Sequence, residues 1–118
     1  MAVNTKSFKK WDRMTFLYIY GFEMGKLLIL SNYIFLVYGT DIYEARKHVH
    51  VTYAHRGFKR ACKFWLEPEI SLDGSKKGDF SKLELNEITK LIFENKELLL
   101  SQLKLFYANL PVKAIRKW

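Results

Sequence analysis

His48 and His50, separated by one residue, are the pair in this chain whose types and spacing point most directly to chemistry. In a strand over Lys47–Tyr53 side chains alternate between faces, so both imidazoles leave one face with β-carbons about 7 Å apart. Such a pair suits general acid and general base work on a phosphodiester, with Arg46, Arg60 or Lys63 stabilising the developing charge, as in a metal-independent ribonuclease. It falls short of a metal site. Zinc asks for at least three protein ligands, and the nearby candidates Glu67, Asp41 and His55 stand at no recognised spacing, so no metal is expected. A third reading leaves both histidines as polar residues on the open face of a half-buried sheet, and the residues alone favour that one.

Trp65 lies between Lys63 and Glu67 in a second alternating run. If alternation holds, the indole shares the histidines' face, giving an aromatic platform within basic surroundings, a combination that stacks a base while cations hold phosphates. Its alternative is burial beneath the N-terminal segment or a helix. The expected binding set is therefore Arg46, Lys47, His48, His50, Lys63, Trp65 and Glu67, with His48 and His50 the catalytic candidates.

The charge distribution agrees with an anionic partner. The 118 residues carry 20 Lys and Arg against 12 Asp and Glu, a net charge of +8, and the segment from Arg46 to Lys63 holds six of these cations and no carboxylate. RNA, DNA and a small acidic protein all fit such a field. Cys62 is the sole cysteine, which excludes an intramolecular disulfide and implies a reducing, cytoplasmic setting; its apolar strand context reads as a buried small hydrophobe. No run approaches the roughly 18 apolar residues that span a bilayer. The basic stretch before Met14–Phe22 is interrupted by Thr15, Tyr18 and Tyr20 and lacks a cleavage site, so a signal peptide is rejected. Nucleotide loops, nucleophile elbows and paired-cysteine sites are absent, and no cofactor is expected.

The elements that must position these residues follow from pattern. Leu27–Leu30, the turn pair Ser31-Asn32 and the apolar run Tyr33–Tyr38 form a hairpin whose second strand is central. A polar loop over 40–47 leads to the strand Lys47–Tyr53, which turns through Gly57 and returns as Arg60–Glu67 until Pro68 stops it. A loop covers 72–78. Ser81 and Glu84 make a capping box with Phe80 and Leu85 as its staple. Leu85, Ile88, Ile92, Leu99, Leu103 and Phe106 then trace one apolar stripe, with Asn95 on it as the place for a bend or break. The composition, 49% hydrophobic and 27% charged, and the length fit one globular domain. The reading is an α+β fold: an antiparallel β-meander of about four strands on one long C-terminal helix, possible bend at Asn95. Residues 24–110 form the domain, 1–23 an extension and 111–118 a loosely ordered basic tail.

The succession His48-Val49-His50-Val51, Lys63-Phe64-Trp65-Leu66-Glu67-Pro68, then Phe80-Ser81 through Glu84-Leu85 to Glu94-Asn95-Lys96-Glu97-Leu98-Leu99, resembles the domain of unknown function 4160 family of small bacterial proteins. The resemblance covers about residues 24–107. Members begin near the position of Ile29, which makes Met24 a candidate start. They also carry a proline-rich approach with an Asp-His pair, where this chain has Asp41-Ile42 and Arg46-Lys47. The resemblance implies a compact α+β fold and, from neighbouring genes, a toxin–antitoxin-like or mobile-element module. Two functions follow: a nucleic-acid-binding component of such a module, or a domain binding a small acidic protein encoded by an adjacent gene through the basic hairpin. Oligomeric state is not legible.

Overall fold

The computed structural model describes residues 24–54 and 60–117. The extension, the Gly57 turn and Trp118 lie outside them.

The first hairpin forms where the pattern places it. β1 (Met24–Leu30) pairs antiparallel with β2 (Tyr33–Tyr38), joined by Ser31-Asn32 with Ser31 at a φ of 58°, the left-handed conformation that closes a tight turn. Between Lys26 and Leu28 the register shifts, and this bulge turns both Leu27 and Leu28 fully inward. β3 (His48–Tyr53), β4 (Cys62–Trp65) and β5 (Ser71–Leu72) continue the antiparallel meander.

Six strands replace the expected four, in the order β5-β4-β3-β2-β1-β6. β5 falls at a loop margin. β6 (Ile115–Lys117) corrects the expectation of a loose tail: it pairs in parallel with Leu28–Leu30 of β1. Gln102 helps hold it there, donating from Nε2 to the carbonyls of both Leu27 and Lys113 at 2.9 and 2.8 Å.

The expected single helix is two. α1 (Lys82–Glu94) starts on the capping box, with the Glu84 amide donating to Ser81 and the Ser81 amide to Glu84. At Asn95 it breaks, and α2 (Lys96–Tyr107) follows at once. Asn95 is buried and donates to the Leu91 carbonyl while accepting from Lys117 Nζ at 2.8 Å, so its amide is committed to satisfying the break. Both helices bury Ile88, Ile92, Leu99, Leu103 and Phe106 against Tyr33, Phe35, Val37, Val49, Val51, Cys62 and Phe64 on one side of the sheet. Gly25 allows the close approach of α2, since a β-carbon there would lie 2.7 Å from the Phe106 ring. Cys62 is fully buried, which pushes its thiol up to about 12 and makes it inert, in line with its reading as a small hydrophobe. No helix among the described residues is long and apolar enough to cross a membrane.

Candidate functional site

With the helices on the Phe35 and Val49 side, strand alternation sends His48, His50, Thr52, Lys63 and Trp65 to the opposite face. Cross-strand register sets His48 opposite Trp65 and His50 opposite Lys63, so the imidazoles and the indole emerge together. The rings touch edge-to-face, with His48 5.3 Å from His50 and 5.4 Å from Trp65 between centroids. Tyr38 adds a fourth ring, 4.7 Å from His50.

Solvent access departs from the expectation. His48 has no exposed surface, and only His50 keeps a partly accessible side chain, at 13%. The cover comes from the segment between β2 and β3, expected as a plain polar loop. Its first residues wind into a short 3-10 helix, Gly39–Tyr43, which sets Asp41 over the histidines. Asp41 Oδ2 accepts from the Tyr38 amide at 2.7 Å and meets His50 Nε2 at 3.0 Å. Its Oδ1 lies 3.1 Å from His48 Nε2, and Glu44 Oε1 lies 3.5 Å from the same nitrogen. The other nitrogen of His48, Nδ1, is 3.0 Å from the Arg46 carbonyl oxygen.

These contacts fix protonation. Burial alone would raise Asp41, but its contacts with His48, His50 and the Tyr38 amide outweigh this and hold the carboxyl well below the usual range. Burial lowers His48, yet Asp41 and the Arg46 carbonyl prevail, so its pKa is raised. Tyr107, whose buried hydroxyl has no hydrogen-bond partner among the described residues, is pushed up to about 12 by burial, with Asp41 and Glu44 adding to it.

The remaining expected residues divide. Lys63 is buried, and its Nζ donates to both Glu44 oxygens at 2.8 and 3.1 Å, so its charge is spent inside the protein. Trp65 is half-buried and already holds two cations, Arg46 Cζ and Lys63 Nζ, each 4.3 Å from the ring centroid. Arg46 is exposed and donates from Nε to the Glu67 carbonyl. Glu67 and Lys47 offer backbone carbonyls to the loop and strand contacts, the latter to the Leu66 amide. Arg60 pairs with Asp79 at the surface. His55 lies outside the described residues.

The sequence shows Asp41 as a nearby metal-ligand candidate at no recognised spacing, and Glu44, Tyr38 and Tyr107 were missed. The available signal was two carboxylates between a strand end and a histidine strand, Asp41 and Glu44 preceding His48 by seven and four residues. A family model described as Domain of unknown function (DUF4160) matches residues 32–104, which hold β2 through β5, both helices for most of their length and every side chain of this cluster except Tyr107. The chain belongs to the DUF4160 family. The matched region thus contains the whole Asp41–His48–His50 arrangement. No curated protein and no solved structure matches the chain.

A second feature lies on the same face, opposite α1 and α2. Lys26, Ile34 and Arg116 line a shallow groove with Ile29, Ser31, Ala54 and Lys117, across β1, β2 and the β6 edge. Lys26 sits opposite Leu36, which sits opposite His50, so the groove and the histidine cluster lie on one face of the sheet, with the buried Leu36 between them.

Proposed function

We propose that this DUF4160 protein is a nucleic-acid-binding component of a bacterial toxin–antitoxin-like or mobile-element module, and that it holds its ligand on the face of the sheet opposite α1 and α2. The observation that carries this reading is the groove of Lys26, Arg116 and Lys117 on the same face as the half-buried surface of Tyr38, His50 and Trp65. Exposed cations on one side and flat rings on the other suit a backbone and its bases. The net charge of +8 draws a polyanion to this surface. Arg46 and the groove supply the phosphate contacts in this reading, since Lys63 is neutralised by Glu44.

The buried position of His48 argues against a ribonuclease that uses both imidazoles on a bound strand, because a proton-transfer group must come within hydrogen-bond reach of its substrate. A protein partner is the second reading. It is favoured by Phe93, 74% exposed on α1 beside a shallow cleft with Pro68 and Ile70.

Fluorescence anisotropy of labelled mixed-sequence RNA and DNA across a salt series separates the two. Affinity should fall linearly on a log–log plot with a slope set by several phosphates, and Lys26→Ala with Arg116→Ala should reduce that slope by about one per lost contact. Absence of binding at physiological salt, with the adjacent gene's product co-purifying instead, would refute the nucleic-acid reading.

A further inference from the structure

His48 turns a buried ring nitrogen toward two carboxylates without an aligned hydrogen-bond partner among the described residues. If Nδ1 donates its proton to the Arg46 carbonyl, a neutral ring leaves a lone pair on Nε2. That lone pair faces Asp41 Oδ1 at 3.1 Å and Glu44 Oε1 at 3.5 Å, and Nε2 is fully buried with no aligned hydrogen-bond partner. A proton on Nε2 or a metal ion between these atoms satisfies them, and Lys63 already donates to the Glu44 oxygen. His50 brings a fourth donor atom, Nε2, to the same carboxylate.

We propose that Asp41, His48 and His50 form a binding site for a divalent transition-metal ion of the zinc type, with Glu44 closing the coordination sphere. One ligand atom from each of the first three residues lies within 4.8 Å of the others. Metal–ligand bonds of about 2.1 Å in a tetrahedron place neighbouring ligand atoms about 3.4 Å apart. The contacts of His48 Nε2 with Asp41 Oδ1 and Glu44 Oε1, 3.1 and 3.5 Å, lie near that edge length, and His50 Nε2 meets the other Asp41 oxygen at 3.0 Å. Two imidazoles with carboxylates form a borderline donor set that suits zinc better than calcium or magnesium. The Nδ1 contact to a backbone carbonyl is the outer-shell arrangement that aims the opposite nitrogen of a histidine at a metal. Lys63 donates to both oxygens of Glu44, including the one that faces His48, and fixes the position of that carboxylate.

The burial of His48 and Asp41 makes the site structural: the metal fastens the 39–47 segment to β3. Glu44, with a side chain 43% exposed, is the side from which an ion enters. Linear spacing hid this site, because Asp41 reaches the histidines only after the 3-10 helix turns it back over the sheet. The inference stands apart from the nucleic-acid reading and its test shares no measurement with it.

Protein stripped with chelator and dialysed against Zn2+ should retain one equivalent and melt at a higher temperature, as any ligand that binds only the folded state requires. His50→Gln, the mildest change because that side chain is partly accessible, should weaken Zn2+ binding by at least about 100-fold, beyond the 10–100-fold typical of outer-shell changes. His55→Gln should bind like the parent. Co2+ on the unaltered protein gives a readout free of any folding defect: intense visible bands of a four-coordinate ion support the site. Failure to retain Zn2+, the weak spectrum of hydrated Co2+, or loss of binding in His55→Gln but not His50→Gln overturns it.

Discussion

A carboxylate that accepts a backbone N–H and faces two imidazoles resists protonation, and Asp41 is in that position. Its lowered pKa means that its contribution to stability is present above the unfolded value of about 3.9 and is lost as pH falls. His48 runs the other way. Its raised pKa means that its contribution is complete below the unfolded value of about 6.5 and is lost as pH rises through the folded value. In metal-free protein the pair is therefore strongest between about pH 4 and 6.5. Melting temperatures across pH should show a maximum in that window, and Asp41→Asn should flatten both limbs, the acid one by removing the carboxylate and the alkaline one by removing the partner of the imidazolium. Superimposable profiles for parent and variant would contradict this assignment. The parity of His48, His50 and Trp65 was legible, because alternation in a strand is a local geometric fact. Their burial was not, since Asp41, Glu44 and Arg46 cover them only through tertiary contacts.

At the scale of elements, the same division between local and long-range causes holds. The Ser81–Glu84 cap, the Ser31-Asn32 turn and the break at Asn95 each arise within a few residues, and each was readable. β6 was not readable: three exposed residues with two cations carry no strand pattern, and their pairing with β1 depends on partners some 85 residues away. Gln102 supports that pairing, buried between β1 and the segment leading to β6. Replacing it with leucine leaves two carbonyls without their donor, a loss of about 1–3 kcal/mol for each buried group left unsatisfied. Gln102→Leu should accordingly lower the denaturation midpoint and speed amide exchange at Arg116 and Lys117 while leaving β3 and β4 protected. Exchange in β6 equal to that of the parent would show that the strand holds without this side chain.

Among the described residues, the two faces of the sheet differ in what they carry. One is filled by α1 and α2 and supplies the core; the other presents the groove of Lys26 and Arg116 and the histidine cluster. Composition indicated an anionic partner but placed the contacts in the Arg46–Lys63 segment, where the fold spends Lys63 on Glu44 and Arg60 on Asp79. β6 brings the C-terminal cations Arg116 and Lys117 beside β1, where they line a groove with Lys26. The most direct test of this division is a 1H–15N titration with a short mixed-sequence single-stranded RNA at physiological salt. Binding on the face opposite the helices should shift the amides of Lys26, Ile34, His50, Thr52 and Arg116 together, with α1 and α2 unmoved. Shifts confined to the helices, or no shifts at saturating RNA, would contradict it.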